Sequence, residues 1–156
     1  MKIHLLVNGE PREWECEVHE FLTEALRRHG LVGTKRGCEN GACGACAVLL
    51  DGREVPSCIV LAAQADGHEI TTIEGLGDPR HVHPIQAAFV AATAVQCGFC
   101  TPGMVVATKE LLDHNPTPSA ADARRRLAGH YCRCTGQIKP IQAVLDAAER
   151  VKGAQP

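Results

Sequence analysis

Nine cysteines are the residues of this 156-residue chain with the clearest potential for chemistry. Eight of them form two groups of four, and four thiolates can ligate a structural zinc ion or an iron–sulfur cluster. The groups are Cys38, Cys43, Cys46 and Cys58, and Cys97, Cys100, Cys132 and Cys134. An odd number of cysteines cannot all pair as disulfides. Residues 1–9 also lack the apolar segment of a secretory signal, so we expect a reducing cytoplasm, where clustered cysteines more often hold metal.

The first group has the spacing C-x4-C-x2-C followed by a more distant cysteine, which is typical of plant-type [2Fe–2S] ferredoxins. Gly37, Gly41 and Gly44 lie beside these cysteines, and glycine lets a backbone take left-handed conformations and approach a cluster closely. Zinc is the alternative, because it also takes four thiolates. Zinc ribbons usually present two C-x2-C pairs, however, and this loop contains one. The spacing therefore favours an iron–sulfur cluster.

The second group consists of two pairs, Cys97-x2-Cys100 and Cys132-x-Cys134. Each pair is predicted to lie in a loop between helices, and a helical bundle can bring two such loops together around one metal centre. The C-x-C spacing is neither a usual zinc pair nor the plant-type pattern. Spacing alone therefore leaves both a zinc ion and a [2Fe–2S] cluster possible at this site, although it favours the cluster.

The first half of the chain carries the signals of a small mixed β-sheet crossed by a helix. Apolar residues alternate over residues 3–7 and 14–18, and the Asn8-Gly9 pair between them is typical of a hairpin turn. Helical spacing follows at residues 21–26. Further strands are predicted at residues 47–50, 53–55 and 70–73.

From residue 84 the apolar period becomes helical, which predicts four helices packed as a bundle. Pro84 suits the first turn of the first helix. Thr101 is predicted to cap the second helix, and Ser119 with Asp122 forms a capping box for the third. An apolar stripe over residues 141–151 marks the fourth.

These signals predict an α+β fold class with two domains. The bounds are residues 1–76 and 84–156, with a linker at 77–83. The formal net charge of −2 and an aromatic content of 3% argue against nucleic acid as a partner. No apolar run approaches the length of a membrane span, and no G-x-G-x-x-G or P-loop pattern indicates nucleotide binding. We therefore expect neither membrane insertion nor nucleotide binding by this chain.

The cysteine blocks resemble those of the iron–sulfur (small) subunit of the molybdenum hydroxylase, or xanthine dehydrogenase, family. The resemblance covers about residues 2–150 and rests on the plant-type loop and on two further motifs. These are Gln96-Cys97-Gly98-Phe99-Cys100-Thr101-Pro102-Gly103 and Cys132-Arg133-Cys134-Thr135-Gly136. The family includes xanthine dehydrogenases, aldehyde oxidoreductases and carbon monoxide dehydrogenases.

The resemblance implies two [2Fe–2S] clusters. An N-terminal plant-type ferredoxin-like (β-grasp) domain would hold the outer cluster on Cys38, Cys43, Cys46 and Cys58. A C-terminal four-helix-bundle domain would hold the inner cluster on Cys97, Cys100, Cys132 and Cys134. In the family, residues in the places of Gln96 and Cys134 contact the molybdopterin.

The resemblance also implies partner subunits. Molybdopterin, as its cytosine dinucleotide, would belong to a large subunit and FAD to a medium one, in a dimer of heterotrimers. Electrons would pass singly from the molybdenum centre through both clusters to FAD, so this chain would be a non-catalytic subunit of an oxidoreductase. The expected substrate is a purine or another N-heteroaromatic, and the alternative is an aldehyde, carbon monoxide or an aromatic acyl-CoA.

Two other functions are compatible with clustered cysteines. A free-standing ferredoxin-like carrier would need a strongly acidic docking face, and a net charge of −2 argues against it. A zinc-binding interaction module would be colourless and insensitive to dithionite. The motifs favour the electron-transfer subunit over both.

The remaining candidates are expected to have structural roles. Cys16 faces the apolar side of its strand and is predicted to be buried. His81 and His83 have metal-like spacing, but we expect no metal there. His130 stands where the family often has asparagine, and it is expected to lie beside the inner ligands without being one. Residues 124–126, three arginines, are predicted to form an exposed helix face.

Overall fold

The computed structural model describes residues 1–153 of the chain. Its strands are β1 (Lys2–Val7), β2 (Glu10–Glu15), β3 (Ala47–Leu50), β4 (Arg53–Pro56) and β5 (Glu69–Thr71). Its helices are α1 (Leu22–Arg28), α2 (Pro84–Ala91), α3 (Thr101–His114), α4 (Ala120–Leu127) and α5 (Ile138–Gly153). Short 3-10 turns lie at Ser57–Ile59, Ala62–Ala65 and Ile73–Gly75. A mixed sheet together with helices confirms the predicted α+β class.

The five strands form one mixed sheet in the order β2-β1-β5-β3-β4. β1 and β5 run parallel, and the other neighbours are antiparallel. Alternation along β1 buries Ile3, Leu5 and Val7 on one face, where Leu22 and Leu26 of α1 pack against the sheet. The predicted sheet crossed by a helix is therefore present.

Two strands, β2 and β5, end at least two residues before the position predicted for them. β2 stops at Glu15 and Val18 is exposed, so the predicted alternation to residue 18 is wrong. Residues 17–20 instead form a turn that leads toward α1, in which the Glu20 amide donates to the carbonyl of Glu17. β5 covers Glu69–Thr71, because Ile73 starts a 3-10 turn and packs toward the helices.

Helices α2 to α5 surround a second apolar core. Its largest buried side chains include Ile85, Phe89, Met104, Leu127 and Val144, so each of the four helices contributes at least one. None of the helices within residues 1–153 combines the length and the apolar character that crossing a membrane requires.

The starts of the helices follow the sequence with one exception. α2 begins at Pro84 as predicted. In α3, however, Thr101 is already the first helical residue and Cys100 is the N-cap, without a capping side-chain hydrogen bond. The Cys100 thiol lies beside that of Cys132 instead.

The predicted capping box at the start of α4 is confirmed. The Asp122 amide donates to Ser119 Oγ over 3.2 Å, and the Ser119 amide donates to the Asp122 carboxylate over 2.8 Å. These bonds satisfy backbone donors that the helix itself leaves unpaired.

Replacing Ser119 by alanine should therefore destabilise the protein by about 1 kcal/mol. Thermal unfolding followed by circular dichroism measures the loss. Thr117→Ala, two residues earlier at an exposed position outside α4, is the matched control and should leave stability unchanged. Equal melting temperatures for the two variants would contradict the capping assignment.

The arginine run at residues 124–126 is not uniformly exposed, contrary to the prediction. Arg124 and Arg125 are exposed, but Arg126 is half-buried and forms ion pairs with Glu54 of β4 and Glu110 of α3. The reason is that α4 packs beside α3, and α3 also packs against β3 and β4. Arg126 therefore points into the junction of the two halves.

The predicted domain bounds, residues 1–76 and 84–156, stay a prediction. Ile73 and Leu76, which precede the predicted linker at 77–83, pack against the helical core. Residues 154–156 of the predicted second domain lie outside the described residues.

Candidate metal centres

The loop before β3 wraps its backbone around the Cys38 thiol. Glu39, Gly41 and Gly44 all have left-handed backbone conformations, which curl the chain between Cys38 and β3. The amides of Ala42 and Cys43 then donate to Cys38 Sγ over 3.2 and 3.3 Å. Amide donors pointing at a sulfur stabilise the negative charge of a thiolate ligand.

The pKa of the Cys38 thiol is correspondingly lowered to about 6, and the largest cause is a hydrogen bond from the backbone of Asn40. Further bonds from Ala42 and Cys43 act in the same direction. Thiolates, not thiols, bind metal, so this loop holds Cys38 in the form that a metal requires.

The β3–β4 hairpin brings the other two cysteines of the first group together. Cys46 directly precedes β3 and Cys58 lies in the 3-10 turn after β4, and the hairpin pairs Ala47 with Pro56. Both thiols are buried, and burial raises the pKa of Cys46 to about 11. A buried thiolate needs a neighbouring positive charge, which a bound metal supplies.

The second group forms where the loop before α3 meets the loop between α4 and α5. Cys97 Sγ lies 3.6 Å from Cys134 Sγ, and the Gln96 side-chain amide donates to the Cys134 carbonyl over 3.1 Å. The thiols of Cys100 and Cys132 form the second contact. The two pairs predicted from the sequence thus lie together in the fold.

The Cys132 thiol accepts hydrogen bonds from the Thr135 amide over 3.4 Å and from the Thr135 hydroxyl over 3.1 Å. Burial works to raise the pKa of Cys132, but these bonds outweigh it and bring the value to about 7. Burial raises the pKa of Cys100 to about 12. The second group therefore resembles the first. Hydrogen bonds favour the thiolate form of Cys132, as of Cys38, whereas burial disfavours the thiolate form of Cys100, as of Cys46.

The thiols of each group lie as two contacting pairs. The pairs are Cys38 with Cys43, Cys46 with Cys58, Cys97 with Cys134, and Cys100 with Cys132. Two irons, each with one pair of thiolates, fit this donor set.

The two groups also touch each other through their backbones. The amide of Tyr131, next to Cys132, donates to the carbonyl of Cys43 over 3.0 Å. Gly44 and Gly103 let the backbones meet, because a Cβ added at Gly103 would lie 2.2 Å from the Gly44 carbonyl oxygen. Both glycines belong to the cysteine motifs, but no local sequence pattern predicts that they lie opposite each other.

Three other candidate residues make structural contacts. Cys16 is buried in the apolar core of the sheet, as predicted. His83 caps α2 by accepting a hydrogen bond from the Ile85 amide at Nδ1, and His81 lies against Asp78.

Two [2Fe–2S] families match consecutive stretches of the chain. The family described as the 2Fe-2S iron-sulfur cluster binding domain matches residues 5–72, and the [2Fe-2S] binding domain matches residues 72–145. The chain therefore contains two [2Fe–2S]-binding domains, one in each half.

Curated relatives match along nearly the whole chain. The nicotine 6-hydroxylase small subunit of Paenarthrobacter nicotinovorans is 44% identical, over 97% of this chain and 92% of the relative. The xanthine dehydrogenase iron-sulfur-binding subunit of Escherichia coli O157:H7 is 42% identical, over 92% of each chain. The aldehyde oxidoreductase of Megalodesulfovibrio gigas is 45% identical over 97% of this chain, which spans only 17% of that longer protein.

The structure is similar to that of quinoline 2-oxidoreductase from Pseudomonas putida 86, with a TM-score of 0.94 and 41% identity. That match covers 100% of this chain and 98% of the other. The two [2Fe–2S] domains, the curated relatives and this similar structure all agree. The chain therefore belongs to the iron–sulfur (small) subunits of the molybdenum hydroxylase, or xanthine dehydrogenase, family, which are non-catalytic subunits of oxidoreductases.

Proposed function

We propose that this chain is the electron-transfer subunit of a molybdopterin- and flavin-dependent hydroxylase, and that it carries electrons singly from the molybdenum centre through two [2Fe–2S] clusters to FAD. One observation carries the proposal. Two groups of paired thiols lie in adjoining loops and are joined by the hydrogen bond from the Tyr131 amide to the Cys43 carbonyl.

In this proposal each half of the chain holds one cluster. Residues 1–76 form a plant-type ferredoxin-like (β-grasp) domain, residues 84–156 form a four-helix-bundle domain, and residues 77–83 link them. The outer cluster is held by Cys38, Cys43, Cys46 and Cys58. The inner cluster is held by Cys97, Cys100, Cys132 and Cys134. A [2Fe–2S] cluster supplies a centre that takes up and releases one electron at a time.

The protein's own residues provide a short connection between the two ligand sets. From Cys43, the path runs through its carbonyl and one 3.0 Å hydrogen bond to the Tyr131 amide, and then along the backbone to Cys132. Cys46, Cys58 and Cys100 are buried, which keeps water from the inward side of each site.

The face around Gln96 and Cys134 is suited to contact with the molybdopterin subunit. Both residues are exposed, as is Cys97. Large apolar side chains are exposed on the same loops and at the start of α5, among them Phe99 and Ile138. Exposed apolar surface beside a redox centre favours cover by another protein, and a dimer of heterotrimers with a large molybdopterin subunit and a medium FAD subunit provides it.

The substrate in this proposal is an N-heteroaromatic compound, which includes the purines. The names of several relatives support this choice, since they mention nicotine, nicotinate and xanthine, and a similar structure is a quinoline 2-oxidoreductase. Aldehydes are the alternative, on the names of two further relatives. Carbon monoxide or an aromatic acyl-CoA follows in third place. The residues that select the substrate lie on the large subunit, and the complex works in the cytoplasm.

The test is the metal content and the EPR spectrum of the chain purified with its native partners. We expect about four iron and four acid-labile sulfide per chain, and two distinguishable [2Fe–2S] signals after reduction with dithionite. Molybdenum and FAD should co-purify, and adding an N-heteroaromatic substrate in place of dithionite should reduce the same two clusters.

Stoichiometric zinc without iron would overturn the proposal. About two iron and a single signal would remove the second cluster and with it the proposed path. Reduction of both clusters by aldehydes and by no N-heteroaromatic compound would replace the proposed substrate with the alternative.

A further inference from the structure

Four charged or titratable side chains meet where the two halves join. His130 Nε2 lies 2.8 Å from the Glu54 carboxylate, and Arg126 forms ion pairs with Glu54 and Glu110. Glu54 comes from β4 of the sheet, whereas the other three come from the helical half. We call these residues the junction network.

His130 is the most deeply placed member of this network, with only 2% of its surface exposed. Its Nδ1 atom finds no hydrogen-bond partner within residues 1–153 and instead lies against backbone. A Cβ added at Gly44 would come within 2.5 Å of Nδ1, and one added at Gly103 within 3.3 Å. The imidazole is therefore wedged between the outer cysteine loop and the start of α3.

A network of this kind depends on the two halves being docked. Charged groups lose hydration when they are buried, and removing one partner leaves the other uncompensated. Burial raises the pKa of Glu54, but the hydrogen bond and charge of His130, together with Arg126, lower it below its usual value. Glu54 is thus an ionised carboxylate whose partners all lie across the junction.

His130 directly precedes the residue that joins the two cysteine groups. Its neighbour Tyr131 donates the hydrogen bond to the Cys43 carbonyl, and Cys132 follows directly. A shift of the imidazole would move both of these residues relative to Cys43. The contact with Glu54 ties the imidazole to β4, which belongs to the same hairpin that places Cys46 and Cys58.

We propose that His130 is a positioning residue for electron transfer. Glu54 anchors the imidazole of His130, and the imidazole in turn holds the Tyr131–Cys43 contact, and so the two ligand sets, in register. The proposal rests on the proposed function for its redox consequence, but not for the contact itself. Neither His130 nor Glu54 is a proposed ligand. Their loss should therefore leave both clusters bound while weakening the coupling between them.

The experiment compares His130→Ala and Glu54→Met with His130→Gln, in the complex purified with native partners. The first two remove one side of the 2.8 Å contact, whereas glutamine keeps a donor near the place of Nε2. His4 and Glu13 form a similar pair, 3.3 Å apart, on the exposed face of β1 and β2. His4→Ala and Glu13→Met are therefore matched controls.

Two readouts separate positioning from a general loss of structure. Hydrogen–deuterium exchange follows the Tyr131 amide, and EPR measures the magnetic interaction between the two reduced clusters. We expect exchange at Tyr131 to accelerate about tenfold or more in His130→Ala and Glu54→Met, since breaking a buried pair favours local opening. The magnetic interaction should weaken in the same variants at unchanged iron content. His130→Gln and both controls should match the wild type.

Unchanged exchange and an unchanged magnetic interaction in both variants, with full iron content, would overturn the proposal. If His130→Ala fails to retain iron, Glu54→Met decides by the same two readouts. Failure of the proposed function would look different, because the wild-type complex itself would then lack two clusters.

Discussion

Replacing Cys46 by alanine is expected to lower the iron content from about four to about two atoms per chain and to remove one of the two [2Fe–2S] EPR signals. Cys46 is only 2% exposed and pairs with Cys58, so its loss leaves Cys58 without its partner thiol in the buried part of the outer site. The inner site should keep its iron, because its four thiols come from other loops. Iron analysis and EPR of the reduced complex measure both effects.

Cys16→Ala is the matched control for this variant. Cys16 is also a buried cysteine, with 4% exposure, but it lies in the core of the sheet and outside both groups of thiols. It should retain about four iron and both signals. Iron loss on replacing Cys16, or full iron content without Cys46, would contradict the assignment of ligands.

Replacing Gly103 by alanine is expected to destabilise the protein, although alanine is the better helix former by about 1 kcal/mol. Gly103 lies in the first turn of α3, and an added Cβ would come within 2.2 Å of the Gly44 carbonyl oxygen. This oxygen belongs to the backbone of the outer cysteine loop, so it cannot rotate away. Overpacking of this kind costs about 1–3 kcal/mol. The upper part of this range exceeds the gain of about 1 kcal/mol in helix propensity.

Thermal unfolding of the iron-loaded chain measures the effect, at roughly 2–4 °C for each kcal/mol in a protein of this size. Gly129→Ala is the control from the same junction, since a Cβ there meets no atom within 4 Å and its backbone is not left-handed. A Gly103→Ala variant as stable as the wild type, or one that loses no more than Gly129→Ala, would show that the close approach of α3 and the loop is unimportant.

Local patterns predicted much of this structure. The alternation that buries Ile3, Leu5 and Val7, the capping box at Ser119 and the helix start at Pro84 depend on residues a few positions apart. Backbone geometry fixes which of these residues share a face or a turn, so their spacing is readable without the fold. Where the local pattern failed, at Val18, the cause was the turn over residues 17–20 that leads from β2 toward α1.

By itself, the sequence determined the two groups of cysteines and the elements that carry them, because loop spacing and helix periodicity are local properties. Only the tertiary structure decided how the groups face each other. The Tyr131–Cys43 hydrogen bond, the approach of Gly103 to Gly44 and the burial of Arg126 all join residues far apart in the chain. Such contacts depend on how α3 docks against β3 and β4, and no spacing along one sequence records that docking.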